Sequence, residues 1–252
     1  MATPLPHLRH LPHTPGGTWR SRAADWLAQL GRSLPAQCAV CHAWPAQPVC
    51  DDCIARFAQP RLRCQTCAQP VPTGVLRCGA CVQSPPPLDL CLAVLDYAYP
   101  WRGLITRYKF TPEPGWAAPL ADLARSMPWV EPALEAADVV LPMPLSPQRL
   151  GQRGFNQALA WAHRLAPGKV RADWLLRCRD TPAQSALPRE ARLRNVQDAF
   201  VVDPSCRGAL AECHVVLVDD VMTSGASLFS AARVLRQAGA AHITGLVLAR
   251  TA

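Results

Sequence analysis

The chain has 252 residues, of which half are hydrophobic and 17% are charged, and its formal net charge is +8. This composition allows a sizeable core and excludes a wholly disordered chain. No apolar run reaches the ~18 residues that a membrane span needs, and the first residues lack the apolar segment of a secretory signal. We therefore expect a cytoplasmic protein without a membrane span, in which cysteines are thiols or metal ligands rather than disulfides.

Residues 1–35 begin with a stretch rich in proline, histidine and arginine and are predicted to form a flexible tail. The next segment holds eight of the twelve cysteines in four Cys-x-x-Cys pairs: Cys38 and Cys41, Cys50 and Cys53, Cys64 and Cys67, Cys78 and Cys81. Two such turns supply the tetrahedral sulfur shell of a structural zinc site. We predict a double zinc ribbon over 36–84 with one or two zinc ions. Pairing of adjacent turns and interleaved pairing both fit the spacing.

Ser84 to Pro87 form a stiff polyproline junction, and strands then alternate with helical periodicity over 88–252. This alternation predicts an α/β domain, a parallel sheet flanked by helices. The predicted strands are Leu90–Tyr99, Asp138–Leu141, His214–Val218 and Ile243–Leu248. The predicted helices are Trp101–Phe110, Trp116–Met127, Phe155–Leu165 and Ala226–Gln237.

The segment from His214 to Ser227, HVVLVDDVMTSGAS, carries the most specific chemistry. A buried strand leads into Asp219 and Asp220 at the sheet edge where ligands bind in open α/β folds. The residues that follow turn into a helix and offer backbone N–H groups and hydroxyls to a phosphate: Thr223, Ser224, Gly225, Ala226 and Ser227. A helix N-cap alone would explain the hydroxyls but not two adjacent acids after a buried strand. The pattern matches a ribose 5-phosphate, with the acids on its 2- and 3-hydroxyls.

Positive charge is concentrated just before this segment. Residues 145–195 contain nine arginines and Lys169 against Asp173, Asp180 and Glu190, a local net charge of +7. Guanidinium groups bind phosphates in a bidentate manner, so this region contains candidates for pyrophosphate binding.

The acidic pair and the turn after it resemble the phosphoribosyl-pyrophosphate (PRPP) binding motif of type I phosphoribosyltransferases. With the cysteine module, residues 36–250 resemble the ComF family, competence-associated phosphoribosyltransferase-like proteins that include the GntX proteins. The resemblance extends to Tyr108–Phe110 (YKF), to Leu141–Ala158 and to the stretch from Gln184 to Phe200. Ser224 stands where the transferase motif commonly has a second Thr, which preserves a hydroxyl.

The resemblance implies a type I phosphoribosyltransferase-like fold and a PRPP site that works with Mg²⁺. Asp219 and Asp220 would orient the ribose and help to hold Mg²⁺, and the turn 223–227 would anchor the 5-phosphate. A loop over Pro144–Arg153 would contact pyrophosphate through Arg149 and Arg153. A mobile catalytic loop over Gln184–Asn195 would contribute Arg189 and Arg192.

The leading functional prediction is a phosphoribosyltransferase with an unknown acceptor, linked to DNA uptake or natural competence. Two alternatives stay open. One is a non-enzymatic sensor of PRPP or nucleotides that acts on a helicase-like partner in DNA uptake. The other is a single-strand DNA-binding adaptor that uses Trp101, Tyr108 or Trp116 as stacking platforms.

Overall fold

The computed structural model describes residues 36–111, 113–178 and 199–251. The tail predicted over 1–35 and the catalytic loop predicted over Gln184–Asn195 lie outside these ranges. Across the described ranges, no helix combines the length and the hydrophobicity that crossing a membrane requires.

The centre of the molecule is a four-stranded parallel β-sheet. The strands of the described residues are Leu90–Asp96 (β1), Val139–Pro142 (β2), Leu175–Arg177 (β3), Phe200–Val202 (β4), His214–Met222 (β5) and His242–Arg250 (β6). The sheet has the order β1-β6-β5-β2, and β3 and β4 form a separate antiparallel pair. Asp219 is in register with Val247 of β6, so the strand continues beyond the predicted end at Val218.

The helices of the described residues flank the sheet, except for the first two, which belong to the cysteine module. They are Asp51–Phe57 (α1), Gly79–Gln83 (α2), Trp101–Phe110 (α3), Ala117–Arg125 (α4), Val130–Ala136 (α5), Pro147–Arg153 (α6), Gln157–Leu165 (α7), Arg207–Leu210 (α8) and Ala226–Gln237 (α9). Short 3-10 turns cover Pro114–Trp116 and Pro204–Cys206. The parallel sheet with its helices confirms the predicted α/β architecture.

The two faces of the sheet belong to two hydrophobic cores. Val216 and Val218 of β5 pack into one core, together with Trp101, Tyr108 and Trp161 of the covering helices. Val215 and Leu217 point the opposite way, into a core that includes α9 and the β3–β4 pair. A strand buried on both faces explains why β5 reads as a continuous aliphatic run.

Candidate functional site

A crevice of about 530 Å³ opens where β2 and β5 end. Its wall includes six of the predicted site residues, which converge from α6, from β5 and from the turn that leads into α9 and its first residues: Arg149, Arg153, Asp219, Asp220, Thr223 and Ser227. Ser224, Gly225 and Ala226 form the turn between Thr223 and Ser227 and do not themselves line the cavity. Arg189 and Arg192 lie outside the described residues.

The Asp220 carboxylate is buried against two cations. Nζ of Lys109 lies 3.0 Å from its Oδ1, and Nη1 of Arg153 lies 3.8 Å from its Oδ2. Oδ1 also accepts a hydrogen bond of 2.6 Å from the backbone N–H of Val221. Removal of a carboxylate from water is costly unless it is paired, so these contacts stabilise Asp220 at the end of β5.

Asp219 is half-buried beside that carboxylate, and it accepts a 2.8 Å hydrogen bond from the N–H of Asp220. Burial, followed by the charge of Asp220, raises the pKa of Asp219 to about 7, while Lys109 and Arg153 act in the opposite direction. The acidic pair therefore changes its charge near neutral pH. A cationic ligand would favour the fully ionised pair.

Lys109 contacts the acidic pair of the crevice through Asp220, although the sequence assigned it no role beyond the resemblance of YKF. The buried stripe of α3 runs through Trp101, Leu104, Ile105 and Tyr108. Position 109 follows Trp101 by eight residues, which places it at the margin of the same helix face. That spacing places Lys109 beside the buried face of α3 but does not show that it meets Asp220.

A buried glutamine joins the end of α3 to the start of α7. Gln157 accepts a 3.0 Å hydrogen bond from Nη1 of Arg153 and donates one of 3.1 Å to the carbonyl of Lys109. The hydroxyl of Tyr108 donates to the carbonyl of Gln157 at 2.7 Å. These bonds fix both cations that face Asp220, so Gln157 acts through Lys109 and Arg153.

The segment predicted as a loop over Pro144–Arg153 is instead largely helical, as α6. The Ser146 hydroxyl accepts from the N–H of Arg149, Pro147 occupies the first turn, and Gly154 ends the helix with a φ of 76°. Each is a standard helix-boundary signal that the sequence already contained. The helix sets the spacing of Arg149 and Arg153 along the crevice wall.

The aromatic side chains proposed as DNA-stacking platforms are mostly inaccessible. Trp101 is 1% exposed and Tyr108 is fully buried, so that prediction is wrong for both. Trp116 is half-buried and its indole donates to Glu113. The aromatic ring at the crevice is Phe110, which is 69% exposed and has the Arg153 guanidinium 5.3 Å from its ring centroid.

The turn from Thr223 to Ser227 has a glycine that its geometry requires. Gly225 has a φ of 80°, and a Cβ there would lie 2.5 Å from Cε of Met222. The N–H of Ala226 donates to the Ser224 hydroxyl at 3.4 Å. The positive end of the twelve-residue helix α9 thus begins beside Thr223 and Ser227, which is a favourable arrangement for an anion.

Lys169 supports the end of a helix and does not line the crevice. Its ammonium donates to the carbonyls of Leu134, Glu135 and Ala137 at 2.7 to 2.9 Å, around the end of α5. The local charge of +7 therefore overstates the charge that faces the acidic pair.

The eight module cysteines form two tetrads, which we call the first cluster (Cys38, Cys41, Cys50 and Cys53) and the second cluster (Cys64, Cys67, Cys78 and Cys81). All sulfurs of a cluster lie within 4.8 Å of one another. Cys41 and Cys50 are 3.6 Å apart, and Cys67 and Cys78 are 3.7 Å apart. A tetrahedral Zn²⁺ at ~2.3 Å from each sulfur gives separations of about 3.8 Å. Adjacent turns therefore pair, and each cluster has the ligands to hold one zinc ion.

The two clusters repeat the same local support. The N–H of Cys50 points at Cys38 Sγ (3.4 Å), and the N–H of Cys78 points at Cys64 Sγ (3.3 Å). Such N–H···S contacts stabilise thiolates and orient them toward a shared metal. The module is thus a tandem repeat of one structural unit.

Comparison with known proteins places this α/β chain, with its two cysteine clusters and its crevice, in a family. No protein-family model matches the sequence. The chain is 31% identical over 229 residues to the DNA utilization protein YhgH of Salmonella typhimurium, covering 87% of this chain and 99% of that protein. It is 28% identical over 200 residues to Competence protein F of Haemophilus influenzae, covering 74% and 84%. The chain belongs to the ComF family.

Among solved structures, the chain is similar to the allosteric regulatory enzyme of purine biosynthesis. The TM-score is 0.36 at 20% identity, over 57% of this chain and 30% of that one.

Proposed function

We propose that the crevice binds PRPP or a related ribose 5-phosphate together with Mg²⁺, and that the protein is a phosphoribosyltransferase-like component of DNA uptake. The observation that carries this proposal is the pairing of Asp219 with Asp220 three residues before the turn that begins α9. Both acids and two residues of that turn, Thr223 and Ser227, line one crevice.

Each part of the ligand has a chemical counterpart in the crevice. Carboxylates accept hydrogen bonds from ribose hydroxyls, which suits Asp219 and Asp220. The N-terminus of α9 with its hydroxyls suits the 5-phosphate. Arg149 and Arg153 suit the pyrophosphate, and a volume of about 530 Å³ lies within the range of small-molecule sites.

The acidic pair also suits Mg²⁺, which prefers carboxylate oxygens and retains several waters. Asp219 and Asp220 would hold the ion, directly or through water. The ion would supply neutralisation of the pyrophosphate charge. The raised pKa of Asp219 fits this role. Two neighbouring carboxylates repel each other when both are ionised, and a nearby cation stabilises the ionised pair.

Transfer of the phosphoribosyl group breaks the bond between the ribose carbon and pyrophosphate. It depends on orientation and charge stabilisation more than on a protein nucleophile. In this proposal Asp219 and Asp220 orient the ribose, and Arg149 and Arg153 stabilise the leaving pyrophosphate. Arg189 and Arg192 remain predicted catalytic residues from the segment outside the described ranges.

The connection with DNA is supported by the relatives, which are named for DNA utilization and for competence. We assign the protein to the cytoplasm, where PRPP would reach the crevice. The acceptor could be a nucleobase or a nucleic acid. Binding without transfer would make the same crevice a sensor that acts on a DNA-uptake partner.

Calorimetric titration with PRPP and Mg²⁺ tests the binding step. Wild type and Asp122→Asn, which changes an exposed acid away from the crevice, should bind equally. Asp219→Asn/Asp220→Asn should bind at least about 30-fold more weakly, since two charge-assisted contacts are lost. Absence of PRPP binding by the wild type would refute the proposal.

Assays of turnover and of DNA binding then separate the functional classes. Pyrophosphate release with an acceptor from a panel of nucleobases and oligonucleotides identifies an enzyme, and binding without release identifies a sensor. Salt-sensitive oligonucleotide binding that survives the two Asp substitutions but not Arg149→Ala/Arg153→Ala identifies a DNA-binding adaptor.

A further inference from the structure

Arg250, the last residue of β6, connects the second cluster to the turn of the crevice. Its Nε donates to the carbonyl of Cys67 at 2.9 Å, and one Nη donates to the carbonyl of Met222 at 3.2 Å. Cys67 belongs to the second cluster, and Met222 ends β5 immediately before Thr223. Arg250 is only 8% exposed as a residue, and its single guanidinium spans both elements.

The charge of Arg250 points to the cluster as its electrostatic partner. Within the part of the chain that the structure describes, no carboxylate forms an ion pair with Arg250. Because Zn²⁺ with four thiolates carries a net charge of −2, a zinc-loaded second cluster compensates the buried cation.

Met222 contacts both Arg250 and the turn. Its carbonyl also accepts from the N–H of Thr251 at 3.1 Å, and its sulfur lies 3.6 Å from the thiol of Cys91. The N–H of Cys91 in turn donates to the carbonyl of Gln65 inside the second cluster, at 2.6 Å. The Met222 Cε fills the space that a Cβ on Gly225 would need. Met222 therefore packs directly against Gly225 in the turn.

We propose that Arg250 is a positioning residue through which zinc in the second cluster orders the turn from Thr223 to Ser227. Loss of zinc from this cluster loosens the turn and weakens binding of a ribose 5-phosphate. The ligand part of this inference rests on the proposed function, whereas the ordering of the turn is measurable without ligand.

The test uses two variants and their double mutant in the full chain. Arg250→Met removes these two hydrogen bonds together with the two that Nη1 donates to the carbonyl and the hydroxyl of Thr251. Cys78→Ser removes a ligand of the second cluster. Arg236→Met is the matched control for the arginine, because Arg236 also donates to two backbone carbonyls, those of Ala240 and Ala241. Cys50→Ser is the matched control for the cysteine, since Cys50 holds the equivalent position in the first cluster.

Hydrogen exchange of peptides covering 223–232 is the first measurement. Arg250→Met and Cys78→Ser should each accelerate exchange about 10-fold, whereas Arg236→Met and Cys50→Ser should leave it unchanged. In the double mutant Cys78→Ser should add less than it does alone, because Arg250 provides the direct connection between the second cluster and the turn. Arg250→Met should retain two zinc ions, which separates its effect from metal loss.

Calorimetry with ribose 5-phosphate and with PRPP is the second measurement. Both substitutions should weaken binding about 10-fold, again without additivity. Failure of the wild type to bind either compound would refute the proposed function, while the exchange data would still decide whether the cluster orders the turn.

Two results would overturn the inference: wild-type exchange over 223–232 in Arg250→Met, or an effect of Cys78→Ser that is undiminished in the Arg250→Met background. If Arg250→Met does not fold, Arg250→Lys serves instead. It keeps the charge, but its compact ammonium does not reproduce the planar fork that spans both carbonyls. Accelerated exchange with two bound zinc ions is then expected, and unchanged exchange would refute the proposal.

Discussion

The ammonium of Lys109 lies 3.0 Å from Oδ1 of Asp220, where the last turn of α3 meets the end of β5. Both side chains are largely withdrawn from solvent, so salt screens their interaction less than it screens a surface pair. The charge of Lys109 also opposes the rise in the pKa of Asp219. The positive charge of Lys109 therefore offsets part of the negative charge of Asp219 and Asp220.

Replacement of Lys109 should weaken ligand binding in a pH-dependent way. Lys109→Met raises the pKa of Asp219 further, so binding of PRPP with Mg²⁺ at pH 7 should fall about 3- to 10-fold and recover in part at pH 8.5. Calorimetry at both pH values measures this. Arg107→Met is the control, because Arg107 lies on the same helix but pairs with Glu113 at the surface. Tighter binding by Lys109→Met at pH 7 would show that Lys109 competes with the ligand.

The raised pKa of Asp219 predicts the pH profile of the wild type. The carboxyl is protonated below about pH 7 rather than below its ordinary 3.8. Binding that requires the ionised pair should therefore weaken as the pH falls from about 8 to about 6, by up to about 10-fold per pH unit. Dissociation constants across this range should fall on one titration curve for the wild type, and the profile of Asp219→Asn should be flatter. Equal slopes in the two proteins would contradict the assignment.

The same shift makes a prediction for stability with a definite sign. Between pH 3.8 and about 7 the folded state binds more protons at Asp219 than the unfolded state does. The stabilising contribution of this group is therefore complete below pH 3.8 and is lost as the pH rises through about 7. Asp219→Asn cannot ionise, so it does not lose this contribution. Its Tm relative to that of the wild type should therefore be higher at pH 8 than at pH 5, by at least about 3 °C. Scanning calorimetry of both proteins at pH 5 and pH 8 measures this Tm difference. The same difference at both pH values would contradict the raised pKa of Asp219.

The two clusters predict two zinc ions per chain. Cys53→Ser and Cys81→Ser should each remove one zinc ion and lower the Tm, because a structural site supplies on the order of 10 kcal/mol of binding free energy. Cys213→Ser is a suitable control, since the Cys213 thiol donates to the carbonyl of Ala209 at 3.0 Å and a hydroxyl can do the same. Metal analysis of the purified variants gives the count, and a wild type with one zinc ion would refute the assignment of two sites.

Much of the fold could be predicted because its elements have clear periodicity and clear ends. Helices α3 and α9 match their predicted ranges, since Pro100 and Gly225 stand at their starts. Strand β5 was predicted to end at Val218, because two acids look like the end of a buried strand. Val221 nevertheless pairs with Ala249 of β6, and Lys109 and Arg153 compensate the buried Asp220. Strands of three residues, as in β3 and β4, contain too few residues to show a period.

The site residues could be predicted where they are close together in the sequence. They could not be predicted where they come from distant segments of the chain. Asp219, Asp220 and Thr223 are close in sequence and line the crevice as expected. Lys109 and Gln157 meet them only after the chain folds, so their part depends on tertiary contacts. Which cysteine turns pair was likewise undetermined, because adjacent and interleaved pairings have the same local sequence.

Two glycine-to-alanine substitutions, one in the turn and one on an exposed helix face, test whether the shape of the turn affects ligand binding. Gly225→Ala introduces a Cβ at a φ of 80° and within 2.5 Å of Met222 Cε and 2.6 Å of Phe229. It should cost about 1–3 kcal/mol of stability and weaken ribose 5-phosphate binding, because the turn must move away from Met222. Gly103→Ala, in the exposed part of α3 with no atom within 4 Å of the added Cβ, should instead stabilise the protein by about 0.5–1 kcal/mol. Denaturant unfolding and calorimetry measure both quantities. Unchanged ligand affinity in Gly225→Ala would mean that the turn before α9 does not hold the phosphate.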